Sequence, residues 1–526
     1  MPDSSATRVP FDPALARRSV FQALVDARRE WGGDRIALVD GDDRALSYDE
    51  LIRASFALGS ALKSGTRQGE CVGVMLPTGA AGTLTFFALS AFGRIPTMLN
   101  FTAGMVGLKS ALRTAQVKRV ITAHRLVELA GLEDLIARLT GIEVVYLEDV
   151  RKNLSLTNKL AAVAGKMAPT LIAAKPDPKN PAVILFTSGT EGEPKGVALS
   201  HENLLANVAQ VRAHVGITPG DVMFNPLPIF HCFGLMGGTI LPLIAGIRVI
   251  SHPSPKQPKE IVRRIRQHGA TILLSTDTFI NQYARTADDG ELASLRMAVC
   301  GAERLRDETR AFVRRKAGIT LLEGYGVTET APVVAVNQIE TNRPGTVGQL
   351  LQGMEARLEP VEGIPGAGRL FLRGPNIMLG YLKPDAPGRI VPPESGWHDT
   401  GDVVSIDEDG FIAIRGRLKR FAKIGGETVS LAVVENIAAA LWPDNAHAAV
   451  AIPDGRKGEQ IVLITDAKDV RREDLIGWAR NHGVSELSVP RRVLAMEDIP
   501  LLATGKTDYV TAQKMAEADL KGDLPS

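Results

Sequence analysis

The sequence lacks most of the features that would settle a function class at first reading. Among 526 residues there are three cysteines, Cys71, Cys232 and Cys300, with neither paired nor metal-ligand spacing. That excludes a disulfide scaffold and a zinc ribbon, and it assigns the three thiols to the interior of a protein from a reducing compartment. Basic and acidic residues nearly cancel, leaving a formal charge of +2, so no whole-molecule field favours nucleic acid. Residues 1–18 are polar and lack the apolar centre of a signal peptide. The most apolar tract, residues 83–108, is interrupted by Arg94, Pro96 and Asn100 and closed by Lys109. It is too broken for a membrane span of about 20 apolar residues, and a buried helix followed by a buried strand is expected there. A Walker loop is missing too. The glycine-rich stretch ending at Lys195 runs into Gly196 and a strand, not into Ser/Thr and a helix.

What is present is an ordinary globular balance, 45% hydrophobic and 23% charged, in a chain long enough for about 3–4 domains or subdomains. From about residue 11 to 147, helix-like and strand-like segments alternate, which implies a parallel sheet with helices on its faces. Ser47 and Glu50 form a capping-box pattern. Residues 234–245 read as an apolar helix. Residues 151–180 change character: Leu156, Leu160, Val163 and Met167 share one helical stripe flanked by Lys152, Lys159 and Lys166. Such a helix is expected to cover the body of the protein with its stripe; peripheral contact of residues 152–167 with an anionic membrane is the alternative.

The centre of the sequence is Thr187-Ser188-Gly189-Thr190-Glu191-Gly192-Glu193-Pro194-Lys195-Gly196, between an apolar strand at 182–186 and a second at 197–199. Glycines let backbone N–H groups approach phosphate oxygens, hydroxyls donate to them, and an ammonium offsets their charge. Farther on come Gly301-Ala302-Glu303, Glu323-Gly324-Tyr325-Gly326-Val327-Thr328-Glu329, His398-Asp399-Thr400-Gly401-Asp402, Gly416-Arg417 and Thr504-Gly505-Lys506. A flat aromatic offers a π face to a base, and a hard carboxylate oxygen suits Mg²⁺ that also binds phosphates.

In this order the stretches resemble the adenylate-forming superfamily of acyl-CoA synthetases, acyl–acyl-carrier-protein synthetases, luciferases and peptide-synthetase adenylation domains. The resemblance spans about residues 15–515. It implies an α/β fold: a large domain of stacked mixed sheets with helices over 1–417, and a small mobile α+β domain over 418–526 that swings at Lys419. It implies ATP and Mg²⁺, held by Thr187 to Gly192, Lys195, Gly301 to Glu303, Glu323 to Gly326, Thr328, Asp402, Arg417 and Lys506. Tyr325 is expected on adenine, Asp402 on the ribose hydroxyls and Arg417 on ribose or phosphate. Thr187 and Glu329 are expected at the metal, and Lys506 at the reacting carboxylate and α-phosphate. His398 stands where many members have tyrosine.

The acyl side is expected at Phe230, His231 and Gly234, with His231 beside the substrate carboxylate. No acidic residue lies in 226–234 to hold an α-ammonium, so a hydrophobic acid is the better substrate. No nucleophilic side chain is required. At finer grain, residues 230–234, 299–303, 323–333, 375–378 and 417–424 look like the acyl–acyl-carrier-protein synthetase module of bifunctional lysophospholipid acyltransferases, standing alone here. Carrier protein is therefore the expected thiol acceptor, docking on Arg415, Arg417, Lys419, Arg420 and Lys423, with CoA as the alternative. The charges at Arg310, Arg314, Arg315 and Lys316 read as solvated surface. A nucleotide-binding pseudoenzyme is the reading from another class. A cytoplasmic enzyme is expected, peripheral at the inner membrane face if residues 152–167 touch lipid.

Overall fold

The computed structural model describes residues 10–187, 194–424, 427–443, 445–454, 458–501 and 507–521. Ser188 to Glu193 of the phosphate loop and Lys506 with its neighbours lie outside these residues.

The alternating pattern of the first 147 residues becomes a sheet whose parallel core is Ile95–Met98, Cys71–Val74, Arg119–Thr122 and Glu143–Tyr146. The hairpin Pro181–Thr187 and Lys195–Ser200 continues it, and the distant strands Gly380–Lys383 and Ala386–Val391 complete it at eight. The tract expected as a buried helix and strand is so: helix Ala80–Ala91 leads into Ile95–Met98, and both are buried. A second sheet of nine strands carries parallel neighbours Val222–Asn225, Ile272–Ser275, Met297–Cys300 and Thr320–Gly326, closed at one edge by Ile36–Val39 and Ala45–Ser47. Strands buried on both sides read as unbroken apolar runs, which is why these were visible in the sequence. The capping box at Ser47 and Glu50 starts helix Tyr48–Leu62, and a second, Ser200 with Asn203, starts helix His201–His214. The latter follows directly from a strand of the first sheet. It donates and accepts through Asn207 to Val333, on the second sheet, thereby tying the two together.

The chain divides into two compact units, Met1–Glu355 with Arg373–His398, and Ala356–Leu372 with Asp399–Ser526. The division does not fall at residue 417. Strands Glu355–Pro360, Gly368–Arg373, His398–Ile406 and Ile412–Arg417 pair with one another in a separate four-stranded sheet, and that pairing assigns 399–417 to the second unit. The rest of that unit includes a mixed sheet with strands Phe421–Ile424, His447–Asp454 and Gly458–Thr465.

The apolar helix expected at 234–245 is present, as a π-helix over residues 233–240 that continues as α-helix Leu241–Ile244. The widened turn sits where a Cβ on Gly238 would meet Asn225 at 2.2 Å, a close approach that only glycine permits. The stripe of helix Leu156–Met167 does not cover the body of the protein. Ala162 and Gly165 face inward instead, because a Cβ on Gly165 would lie 2.2 Å from the Phe56 ring, and the large residues are left outside.

Candidate active site

The motifs of the first unit converge at strand ends. In the hairpin, Thr187 is the Cα partner of Lys195, so the first hydroxyl and the lysine of the phosphate loop stand opposite each other. Strand Gly380–Lys383 pairs alongside, with Tyr381 opposite Val197. The Lys195 ammonium lies 5.8 Å from the centre of the Tyr381 ring, and the Tyr381 hydroxyl donates to Glu329 Oε1 at 2.7 Å. Cation, aromatic ring and carboxylate thus form a short row that the sequence reading found only at its two ends.

Glu329 sits on a 3₁₀ turn, Thr328–Thr330, that leaves strand Thr320–Gly326. The chain doubles back so tightly that a Cβ on Gly326 would meet the Pro332 carbonyl oxygen at 2.0 Å, which accounts for the glycine beside Tyr325. The turn is held from behind. Met378 N–H donates to the Glu329 carbonyl at 2.8 Å, and buried Asn376 donates to the Thr330 carbonyl at 2.7 Å. Asn207 pairs with both N–H and C=O of Val333, while Asn203 donates to the Pro375 carbonyl and Gln210 to that of Gln352. Buried amides stabilise only when partnered, and here each one is. Tyr381, Asn203, Asn207, Gln210 and Asn376 were missed. In sequence, residues 375–378 carry only a family likeness, and isolated amides on a helix carry no signal of burial.

Strands Met297–Cys300 and Thr320–Gly326 run parallel in register, Cys300 opposite Glu323, so Gly301-Ala302-Glu303 and Gly324-Tyr325 emerge together at their carboxyl ends. Such ends are where open parallel sheets bind ligands. Ala302 adopts the left-handed conformation, φ +68°. The two acidic residues placed here have protein partners: Glu303 accepts from the Thr278 N–H and hydroxyl, and Glu323 from Arg310 and from Gly345 N–H. Burial raises the Glu323 pKa, offset in part by Arg310. Arg310 is therefore a largely buried ion-pair partner, a correction to its reading as a solvated charge. Lys316 keeps a surface pair with Asp289.

Residues 226–234, expected on the acyl side, lie next to this edge. A Cβ on Gly301 would be 3.3 Å from the Phe233 ring. Phe230 packs edge-on against Phe101 at 5.3 Å and against His231 at 4.8 Å. The loop is pinned by Thr78, which donates to the Leu227 carbonyl and accepts from Ile229 N–H, and by Asn225, which accepts from Leu227 N–H and donates to the Gly234 carbonyl. Gly234 is obligatory: a Cβ there would meet the Pro228 carbonyl oxygen at 2.3 Å. Burial pushes the Cys232 and Cys300 thiols far up, with the Glu329 carboxylate adding to the shift at Cys232, so neither is available as a thiolate. That agrees with a site needing no nucleophilic side chain.

In the second unit, buried Asp402 is the register partner of Arg417, and the Arg417 guanidinium lies 3.0 Å from its carboxylate. Asp399 pairs with Arg369, and buried His398 begins the same strand. Lys419 lies on a 3₁₀ turn, Leu418–Arg420. The basic cluster at 415–423, expected as a docking face, is smaller than its sequence suggests. Arg420 donates to Glu435 and the Ala449 carbonyl, and its guanidinium stacks 3.6 Å from the centre of the Tyr509 ring, so it is not an open surface charge. The residues flanking 502–506, Leu501 and Thr507, form an antiparallel bridge.

Among the described residues no cluster of three or more His, Cys, Asp or Glu could form a metal cage. A single carboxylate suits Mg²⁺ when nucleotide phosphates supply its other ligands, so Glu329, linked through Tyr381 to Lys195, is compatible with ATP and Mg²⁺.

Comparison with known proteins identifies the family. A family profile described as AMP-binding enzyme matches residues 25–382. The long-chain-fatty-acid–CoA ligase of Salmonella typhimurium is 27% identical over 95% of this chain and 96% of its own. The medium-chain fatty-acid–CoA ligase of Escherichia coli is 28% identical over 91% of this chain and 88% of its own. In structure, ATP-bound MatB from Rhodopseudomonas palustris matches with a TM-score of 0.81 at 24% identity, covering 95% of this chain and 99% of that one.

Proposed function

This chain belongs to the AMP-binding enzyme family, and on that premise we propose that it is an AMP-forming ligase joining a fatty acid to the thiol of CoA. The single observation that carries the reading is the row Lys195–Tyr381–Glu329 at the mouth of the phosphate hairpin, beside an acyl loop without acidic residues. The acceptor follows the names of the relatives, both fatty-acid–CoA ligases. That reverses the order drawn from the finer motif resemblance, which had carrier protein first, and the commitment of Arg420 to Glu435 and Tyr509 points the same way.

In the first half-reaction the fatty carboxylate attacks the α-phosphorus of ATP in line, and pyrophosphate leaves. Thr187, Ser188 and Lys195 hold phosphate oxygens, Tyr325 and the Gly301-Ala302 edge hold adenine, and Tyr381 keeps Glu329 turned toward the metal position. Bound Mg²⁺ would neutralise developing charge on the phosphates. Asp402 and Arg417 hold the ribose end, and Lys506 bridges carboxylate and α-phosphate. Aligning two anions is the main obstacle, and positioning supplies about 7–11 kcal/mol of such barriers. In the second half-reaction, with the C-terminal residues turned about Lys419, the CoA sulfur attacks the acyl carbonyl and AMP leaves.

The test is carboxylate-dependent pyrophosphate exchange over a fatty-acid chain-length series, followed by thioester formation with CoA and, separately, holo-carrier protein. Exchange with thioester only on CoA is expected. Thioester only on carrier protein restores the other acceptor, and no exchange with any acid leaves a nucleotide-binding pseudoenzyme.

A further inference from the structure

Helix Leu156–Met167 is turned opposite to the usual amphipathic helix. Its small residues, Ala162 and Gly165, press on helix Tyr48–Leu62, and Lys166 anchors that orientation through an ion pair with Asp49 at 2.8 Å. The row Leu156, Leu160, Val163 and Met167 is consequently 74%, 60%, 54% and 81% exposed, and Leu171 on the following turn 80%. Positions i, i+4, i+7 and i+11 lie one above another, so this is a continuous apolar strip rather than scattered surface residues. Charge along the segment itself has one sign, with Lys166 offset by Asp49 from the neighbouring helix. Residues 150–176 hold Arg151, Lys152, Lys159, Lys166 and Lys175 and no acidic residue, in a chain whose overall charge is only +2.

We propose that this face docks on an anionic lipid bilayer, with the helix lying in the headgroup plane, the apolar row entering the acyl boundary and the lysines at lipid phosphates. Charge complementarity selects this occupant. A second copy packed face to face would bring Arg151, Lys152, Lys159 and Lys175 against themselves. Twelve residues span about 18 Å, and among the described residues no helix is long and apolar enough to cross a membrane, so the helix lies on the surface and does not span it. The docking does not depend on the substrate assignment, because binding is read without turnover.

The full chain is sedimented with phosphatidylcholine vesicles, with and without phosphatidylglycerol. Expected is binding that requires phosphatidylglycerol and weakens with salt. Lys152→Gln with Lys159→Gln should lower partitioning on the order of 30-fold, and Leu160→Ser with Met167→Ser about tenfold or more. Both variants should melt as the parent does and keep pyrophosphate exchange with a short soluble acid. A parent that does not bind, or variants that bind equally well, overturns the proposal. Self-association removed by the Leu160/Met167 pair without vesicle binding also overturns it, in favour of a second copy.

Discussion

Helix His201–His214 and helix Leu156–Met167 exchange the roles their compositions suggest. The first carries His201, Asn203, Asn207, Gln210 and His214 and is buried on nearly every side; the second carries the apolar row and presents it to solvent. The difference lies in what each helix meets. Asn203, Asn207 and Gln210 meet backbone carbonyls and N–H groups of the 330–376 region, and Nδ1 of His201 accepts from Val20 N–H at 3.1 Å, so burial leaves no polar group stranded. The other helix meets the Phe56 ring, which leaves no room for a Cβ at Gly165. Burial is decided by the partner offered, not by the average polarity of the segment.

That contrast can be broken from the polar side first. Asn207→Leu strands the N–H of Val333 and leaves its carbonyl only the longer bond from Asn376, and should cost about 1–3 kcal/mol in denaturant unfolding, with pyrophosphate exchange falling as the Glu329 turn loosens. A variant as stable as the parent would remove the amides from the argument.

Acid probes the same helix. Burial lowers the His201 pKa from 6.5 to about 4. Between those values the unfolded chain binds the proton and the folded chain does not, so stability falls as pH drops through the window, by about 3 kcal/mol in full. His201→Gln should flatten the pH 4–6.5 slope relative to the parent; an unchanged slope refutes the assignment.

A smaller effect is expected where the turn held by the buried helix meets Tyr381. Tyr381→Phe removes one hydrogen bond to a half-buried carboxylate, and kcat for adenylation should fall about tenfold, with the KM for fatty acid little changed. A shift confined to that KM would place Tyr381 on the acyl side instead. Smallest of all, Leu160→Ser on the exposed row should change folding stability by no more than about 0.5 kcal/mol. A large loss there would mean that the row is covered.

The fold was legible wherever the chain speaks through unbroken apolar runs, as at Val222–Asn225, Ile272–Ser275 and Met297–Cys300. It was legible too at capping residues such as Ser47 with Glu50. Of the candidate site, the motif ends Thr187, Lys195, Glu329 and Asp402 could be named from the sequence because their chemistry is local and their order is that of the family. Tyr381 could not, since it comes beside Lys195 only when a strand nearly two hundred residues later joins the hairpin. Arg310 and Arg420 were misjudged for the same reason: a cation reads as surface charge until Glu323 or Glu435 is found next to it.

By itself the sequence determined the family, the run of strands and helices, and the residue types chemically suited to a nucleotide. Those depend on neighbours in the chain, on periodicity and on motifs whose parts are contiguous. The tertiary structure alone decided which charges are spent on one another, which amides hold the Glu329 turn, and which side of helix Leu156–Met167 faces out. Each of these is settled by a contact between residues far apart in sequence, and no local pattern encodes the partner.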